Sequence, residues 1–105
     1  MRVKLDMFSG RPNPEWELPA AVERELAKLE RELGPSQFAR EPPALGYRGF
    51  VYREGRYERR AFDGILTTAG QSFEDPKRHI ERLLVATMPD SLRGLRAYLP
   101  GELRE

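Results

Sequence analysis

Residues 47–61 read YRGFVYREGRYERRA, and this stretch predicts the central hairpin of a β-sheet. Two runs rich in arginine and aromatic residues, Tyr47–Arg53 and Arg56–Ala61, flank the dipeptide of Glu54 and Gly55. Because glycine accepts the positive φ that a two-residue turn needs, the two runs are expected to pair as antiparallel strands. In this register one face of the hairpin carries Phe50, Tyr52, Tyr57 and Ala61.

Upstream of the hairpin, the segment Val3–Phe8 is predicted to form a first strand. Val3, Leu5 and Met7 alternate with charged residues, and a period of two is typical of a strand with one buried face and one solvated face. This strand and the hairpin are therefore expected to belong to the same small sheet.

Between this strand and the hairpin, the residues from Leu18 onward predict an amphipathic helix. Its apolar positions recur at spacings of three and four residues, so they share one helix face: Leu18, Val22, Leu26, Leu29 and Leu33. Pro19 suits the first turn, where a missing N–H leaves no hydrogen bond unmade. Gly34 and Pro35 are expected to end the helix, with the glycine in the left-handed conformation and the proline blocking continuation.

Two further helices are predicted after the hairpin. Asp75 is expected to cap the first of them and Pro76 to occupy its first position, since aspartate and proline favour these sites. The apolar face of this helix is predicted to consist of Ile80, Leu83, Leu84 and Met88. A short third helix, capped by Asp90 or Ser91, would carry Leu92, Leu95 and Leu99.

Together these elements predict an α+β fold. It consists of a small, mostly antiparallel sheet of three to four strands, two main helices on one face and a short C-terminal helix. Phe62–Thr68 either prolongs the third strand or starts a new strand after Gly64, and residues 36–46 form a connection held by Phe38 and Leu45. A chain of 105 residues has the size of one ordinary domain, so residues 1–105 are expected to fold as a single unit.

The composition excludes several classes of site. The chain has no cysteine and one histidine, which excludes disulfides and cysteine-ligated metals, and no metal or cofactor is predicted. Its 18 basic and 17 acidic residues give no general attraction to nucleic acid or to an anionic membrane. The sequence has neither a secretory signal nor a membrane-spanning run of apolar residues, which predicts a cytoplasmic location.

The segment Ser9–Trp16 is the main candidate site, because it combines a glycine, an arginine, two prolines and the only tryptophan. A rigid loop can present Arg11 and Asn13 as donors to a carboxylate, a phosphate or a partner backbone. In the alternative interpretation the prolines order the loop, Asn13 caps a turn and Trp16 fills the core. The predicted binding residues are Ser9, Arg11, Asn13, Trp16, Tyr47 and Arg48.

The hairpin offers a second candidate, since five arginines and two glutamates lie between Arg48 and Arg60, interleaved with aromatic residues. Such a surface can stack bases and contact phosphates of single-stranded nucleic acid. The alternative is a solvated strand face with cross-strand Arg–Glu pairs. A general acid or base role for His79 would need a polar partner in a cleft, and the alternative is a partly buried structural histidine.

The sequence contains no nucleophile elbow and no phosphate-binding glycine loop. We therefore predict a non-catalytic binding or accessory module that recognises a protein or peptide partner. Two alternatives stay open: binding of single-stranded nucleic acid through the hairpin, and a small enzyme with a site that has no sequence signature. The sequence predicts no oligomeric state.

Overall fold

The computed structural model describes residues 1–8 and 12–104. The strands and helices in these ranges are β1 (Arg2–Leu5), β2 (Glu15–Glu17), α1 (Ala20–Arg31), β3 (Gly34–Pro35), β4 (Phe50–Glu54), β5 (Tyr57–Phe62), β6 (Ile65–Thr68), β7 (Gln71–Glu74), α2 (His79–Ala86) and two 3₁₀ helices (Asp90–Tyr98 and Gly101–Leu103). All seven strands pair antiparallel in one sheet, in the order β2-β1-β4-β5-β6-β7-β3. The fold is α+β, but the predicted sheet of three to four strands is wrong.

Two tight turns account for the strands that follow the hairpin. Asp63 and Gly64 join β5 to β6 with φ of 52° and 78°, and Ala69 and Gly70 join β6 to β7 with φ of 50° and 78°. Positive φ at both central residues matches the right-handed twist of antiparallel strands. Of the two alternatives for Phe62–Thr68, the structure has the second, because β5 ends at Phe62 and a new strand, β6, begins at Ile65 after Gly64.

The predicted end of the first helix is wrong. Helix α1 ends at Arg31, and its C-cap Glu32 is right-handed with φ of −88°. Gly34 and Pro35 form the short edge strand β3 opposite Glu74 and Phe73 of β7. Gly34 thus lies in an extended segment rather than in a left-handed helix stop.

The central hairpin is confirmed, with its turn one residue later than predicted. Glu54 pairs with Tyr57, so Gly55, with φ of 65°, and Arg56 form the turn. The register places Phe50, Tyr52, Tyr57 and Ala61 on one face as expected. Three of them are buried in the core, whereas Tyr57 at the tip of the hairpin is exposed.

The core lies between this face of the sheet and the two α-helices. It contains Val3, Leu5, Trp16, Leu18, Leu26, Phe50, Tyr52, Ala61, Leu66, Ile80, Leu84, Met88, Leu99 and other buried side chains. Helix α1 contacts the sheet through Glu30, whose carboxylate accepts a hydrogen bond from the Tyr52 hydroxyl at 2.5 Å. The opposite face of the sheet presents a cross-strand row of Lys4, Val51, Arg60, Thr67 and Ser72.

The connection between β3 and β4 is not held by the residues that were predicted to hold it. Phe38 and Leu45 are 69% and 72% exposed. The segment is fixed by polar contacts instead, because the Ser36 amide donates to the Ser72 carbonyl at 2.8 Å and Arg40 pairs with Asp63 at 3.6 Å. Two large apolar side chains are therefore left in solvent.

The start of the second helix also differs from the prediction. Helix α2 begins at His79, after a turn at Pro76 and Lys77, and its N-cap is Arg78 in the left-handed conformation with φ of 56°. Asp75 is not the N-cap, although its carboxylate accepts a hydrogen bond from the Ile80 amide at 2.9 Å. The predicted third helix is present as the 3₁₀ helix Asp90–Tyr98, but its N-cap is Pro89 rather than Asp90 or Ser91.

Candidate functional site

Two of the predicted binding residues meet at one carboxylate, that of Asp6, just after β1. The Asn13 amide nitrogen donates to Asp6 Oδ1 at 3.3 Å, and Arg48 Nε donates to Asp6 Oδ2 at 3.3 Å. Arg60 Nη1 donates to the same Oδ2 at 2.8 Å and to the Arg48 carbonyl at 2.7 Å. We call Asp6, Asn13, Arg48 and Arg60 the Asp6 cluster.

Asn13 fixes the chain on both sides of the loop that follows β1. Its side-chain oxygen accepts hydrogen bonds from the backbone amides of Met7 and Phe8 at 2.9 and 2.8 Å. These are the contacts expected of an asparagine that caps a turn. Asn13 therefore has the architectural role of the second interpretation and also orients the Asp6 carboxylate.

A close backbone approach brings Arg48 to Asp6. The Arg48 amide donates to the Asp6 carbonyl at 2.8 Å, and the Asp6 amide donates to the Gly49 carbonyl at 2.9 Å. Gly49 has φ of 101°, and a Cβ there would lie 2.5 Å from the Ala61 carbonyl oxygen. A glycine is thus required for this segment to lie against β5, where Arg60 is located.

The charges of the Asp6 cluster do not cancel, since two guanidinium groups surround one carboxylate. Burial alone would raise the pKa of Asp6, but the hydrogen bonds and charges of Arg60 and Arg48 lower the pKa overall. Both arginine side chains are partly exposed, while that of Asp6 is only 13% exposed. The carboxylate is therefore ionised and enclosed, and the surplus positive charge faces solvent.

Several N–H groups of these two arginines have no internal acceptor among residues 1–8 and 12–104. Arg60 uses Nη1 alone, which leaves Nε and Nη2. Arg48 uses Nε for Asp6 and Nη1 for the Pro43 carbonyl, which leaves Nη2. The cluster can therefore donate further hydrogen bonds to an anionic group without losing the bonds that hold it.

Tyr47 belongs to a different, buried cluster around Glu81 of α2. Its hydroxyl donates to Glu81 Oε2 at 2.5 Å. Arg78 donates to both carboxylate oxygens, from Nε at 3.0 Å and from Nη2 at 2.7 Å, and the Gly64 amide donates to Oε1 at 2.8 Å. Burial and the neighbouring Glu81 charge raise the pKa of Tyr47. We call Tyr47, Gly64, Arg78 and Glu81 the Glu81 cluster.

Sequence reasoning missed Arg78 and Glu81. A signal was present, because Glu81 lies between Ile80 and Leu84 within the apolar stripe of α2, where a carboxylate needs a partner. Burial alone would lower the pKa of Arg78, but hydrogen bonds and charge from Glu81 raise it overall. All four donors around Glu81 come from the chain itself, so this cluster stabilises the fold and offers no free group to a ligand.

Trp16 is a core residue, as the second interpretation of the loop expects. Its ring is buried and lies edge-on to Phe50, with ring centroids 6.3 Å apart. Its Nε1 donates to the Thr87 hydroxyl at 2.8 Å and so ties β2 to the end of α2. Ser9 and Arg11, the remaining predicted binding residues, lie outside the described residues.

The hairpin arginines are largely engaged with carboxylates. Arg59 pairs with Glu30 at 3.2 Å and with Glu54 at 3.8 Å. Arg53 lies directly opposite Glu58 in the register of β4 and β5. The Arg59–Glu54 pair is of the kind expected of a solvated strand face, and the carboxylates interrupt the positive surface that nucleic acid would require. Binding of nucleic acid stays a prediction.

His79 is exposed, so the prediction of a partly buried histidine is wrong. It lines a groove of about 300 Å³ together with Leu29, Leu33, Glu32, Glu74 and Lys77. Within the described parts of the chain, its ring makes no hydrogen bond or ion pair. The same parts contain no group of three His, Asp or Glu side chains arranged to hold a metal ion.

Comparisons with known proteins found no relative of this chain. The chain matches no model of a known protein family, no curated protein and no solved structure. Over residues 1–8 and 12–104, none of the helices is long and apolar enough to cross a membrane.

Proposed function

We propose that this chain is a non-catalytic binding module for a protein or peptide partner, and that its Asp6 cluster contacts an acidic group of that partner. A cytoplasmic location, expected from the sequence, is part of the same proposal. The observation that carries it is the pair of partly exposed guanidinium groups held on one enclosed carboxylate.

Three features support an acidic group as the ligand. Arg48 and Arg60 together carry one positive charge more than Asp6 neutralises, so a second carboxylate would complete the balance. Guanidinium N–H groups form strong, directional hydrogen bonds to carboxylates. Both side chains are already fixed by Asp6, so binding costs less conformational entropy than it would for free arginines.

The buried ionisable groups favour binding over catalysis. A general acid or base must have a polar atom within hydrogen-bond distance of the substrate. The carboxylate of Asp75 accepts the Ile80 amide, and Glu81 accepts four internal donors. Their polar atoms are engaged inside the protein, whereas Arg48 and Arg60 are partly exposed and keep unused donors.

Selection from a library of random displayed peptides, with the unmodified chain as bait, tests this proposal. We expect enrichment of sequences that contain aspartate or glutamate. Binding of a selected peptide, measured by titration calorimetry, should weaken at least tenfold in Arg60→Gln. The matched control is Arg93→Gln, because Arg93 also pairs with an aspartate, Asp90 at 2.7 Å, but lies in the first 3₁₀ helix.

Two results would contradict the proposal. One is the absence of any enriched acidic sequence; the other is equal affinity in folded Arg60→Gln and in the unmodified chain. Circular dichroism melting establishes that each variant is folded. Salt-dependent retardation of a single-stranded oligonucleotide, lost in Arg60→Gln but not in Arg93→Gln, would replace the proposal by the nucleic-acid alternative.

A further inference from the structure

A small cavity lies where the second 3₁₀ helix packs against α2. It has a volume of about 100 Å³ and is lined by Arg82, Val85, Ala86, Arg96, Glu102 and Leu103. Two of these side chains are guanidinium groups, one is a carboxylate and three are apolar. One molecule takes up about 30 Å³ in liquid water, so the cavity is larger than a single water molecule requires.

Arg96, from the first 3₁₀ helix, has a buried donor without an acceptor. Its Nη2 donates to the Val85 carbonyl at 3.1 Å, which fixes the guanidinium group against α2. Its Nε is buried and has no hydrogen-bond partner within residues 1–8 and 12–104. Burial takes from an N–H the hydrogen bond that water gives it in the unfolded chain, and most buried N–H groups in native structures are therefore paired. An acceptor from outside the chain would satisfy this one.

Arg82 supplies further donors from α2. Its Nε donates to the Lys77 carbonyl at 3.1 Å, which leaves Nη1 and Nη2 without an acceptor in the described parts of the chain. The two arginines and the one glutamate of the lining leave a surplus of one positive charge. Guanidinium groups bind oxyanions through strong, directional hydrogen bonds. The lining therefore favours an anion over a cation or a neutral molecule.

Glu102 restricts the class of anion. Its Oε2 accepts a hydrogen bond from Arg78 Nη1 at 3.3 Å, whereas Oε1 accepts none from the residues that the structure describes. A carboxylate, a sulfate or the dianion of a phosphate ester has no proton to donate, so Glu102 would only repel it. Hydrogen phosphate has acceptor oxygens for the arginines and also one O–H, which can donate to Glu102.

We infer that this cavity, which we call the Arg96 cavity, binds inorganic phosphate in its hydrogen phosphate form. Arg82 and Arg96 donate to the phosphate oxygens, and Glu102 accepts from the phosphate O–H. The lining comes from α2 and from both 3₁₀ helices, so the bound anion joins the C-terminal segment to α2. No residue of the Asp6 cluster lines the cavity, so the inference does not depend on the proposed function.

Calorimetric titration of the full chain at pH 8 with inorganic phosphate, sulfate and methyl phosphate tests the inference. At this pH methyl phosphate is a dianion without an O–H, because the second pKa of a phosphate ester is about 6. We expect saturable binding of inorganic phosphate and binding of the other two anions that is weaker by roughly tenfold or more. Arg82→Gln and Arg96→Gln should each weaken phosphate binding by a similar factor.

Two variants are matched controls. Arg93→Gln changes an exposed arginine of the same 3₁₀ helix as Arg96, and Arg60→Gln changes the Asp6 cluster, so neither should alter the affinity for phosphate. Circular dichroism melting establishes that each variant is folded. Because Arg82 is exposed, Arg82→Gln is expected to fold and keeps the test decisive if Arg96→Gln does not.

Three outcomes would overturn the inference. If the unmodified chain shows no saturable binding of phosphate up to millimolar concentration, water alone occupies the cavity. Equal affinity for phosphate and sulfate would reject hydrogen phosphate as the ligand. Unchanged phosphate affinity in folded Arg82→Gln would reject the Arg96 cavity as the site. If that affinity is lost in Arg60→Gln instead, the anion belongs to the Asp6 cluster, which would support the proposed function.

Discussion

Asp6 and Glu81 are both carboxylates held by arginine, but their surroundings differ in two measurable respects. Glu81 is 1% exposed and accepts four hydrogen bonds from its own chain. Asp6 is held by two arginines that are partly exposed and retain unused donors. We therefore expect a binding role for the Asp6 cluster, whose donors outnumber its acceptors, and a structural role for the Glu81 cluster, whose carboxylate is fully occupied by internal donors.

Two neighbouring residues link the two clusters. Tyr47 donates to Glu81, and Arg48 donates to Asp6. Successive side chains of an extended backbone point in opposite directions, so one dipeptide can serve a buried cluster and a surface cluster at once.

The largest expected effect is that of Glu81→Ala. This substitution removes the Glu81 carboxylate and leaves the buried Arg78 guanidinium without its main partner. Such a loss typically costs about 3–5 kcal/mol of unfolding free energy. Urea denaturation at neutral pH measures the change. Glu102→Ala is the control, because Glu102 contacts the same guanidinium at 3.3 Å from an exposed position and should cost less than about 0.5 kcal/mol. Similar costs for the two variants would contradict a structural role for the Glu81 cluster.

The second effect is that of Asp6→Asn, for which we expect a loss of about 1–3 kcal/mol at neutral pH. The hydrogen bonds from Arg48 and Arg60 to the carboxylate are weakened, but both partly exposed guanidinium groups can form hydrogen bonds with water instead. Asp90→Asn, which affects an exposed pair with Arg93, is the control and should change the unfolding free energy by less than about 0.5 kcal/mol.

The pH dependence of this variant gives an independent check. Because the pKa of Asp6 is lower in the folded state, its ionised form stabilises the protein above the unfolded pKa, about 3.9 for aspartate. This contribution is lost as the pH falls through the lowered folded pKa. The unfolding free energies of the unmodified chain and of Asp6→Asn should therefore converge in acid. A constant difference between pH 7 and pH 2 would show that the charge of Asp6 contributes nothing.

A smaller effect is expected for Tyr47→Phe, which removes one of the four donors to Glu81 and keeps the ring. A hydrogen bond to a charged group contributes about 1.5–3 kcal/mol to the unfolding free energy. Because Glu81 keeps three other donors, we expect a loss near the lower end of this range. Differential scanning calorimetry measures the shift in Tm. Tyr57→Phe, at the exposed tip of the hairpin, should leave Tm unchanged. An unchanged Tm for both variants would mean that the hydroxyl of Tyr47 is dispensable.

The smallest stability effect is expected for Arg11→Ala, at a position outside the described residues. If Arg11 serves recognition, its removal changes the unfolding free energy by less than about 0.5 kcal/mol while affinity for a selected acidic peptide falls. If Arg11 is instead bonded within its own loop, Tm falls and affinity follows it. Chemical denaturation combined with calorimetric titration of the same peptide distinguishes the two cases.

Much of the fold could be predicted from local patterns. The alternation of Val3 and Leu5, the turn glycine at Gly55 and the spacing of leucines in α1 each dictate their own element. The number of strands in the sheet was underestimated for two reasons. Strands β2 and β3 have three and two residues, too few to show a period, and Ala69 has a positive φ that its sequence does not signal.

The candidate site was less predictable, because its charge pairs depend on strand register. Arg48 and Arg60 lie 42 and 54 residues from Asp6 in sequence. They reach the same carboxylate only because β1, β4 and β5 are adjacent and Gly49 permits close approach of the chain to Ala61. Asn13 and Arg48 could be predicted as binding residues from their positions in a loop and a hairpin. The role of Asp6 as their common acceptor could be recognised only once the register of β1, β4 and β5 was known.

The short edge strands have a consequence for behaviour at high concentration. A sheet with long unpaired edges recruits further copies by edge-to-edge hydrogen bonding, which leads to fibrils. Here β2 offers three residues next to Pro14, and β3 offers two, of which Pro35 has no N–H to donate. Among the described residues neither edge provides a template long enough for stacking, so concentrated solutions of the folded chain are expected to remain free of amyloid-type growth.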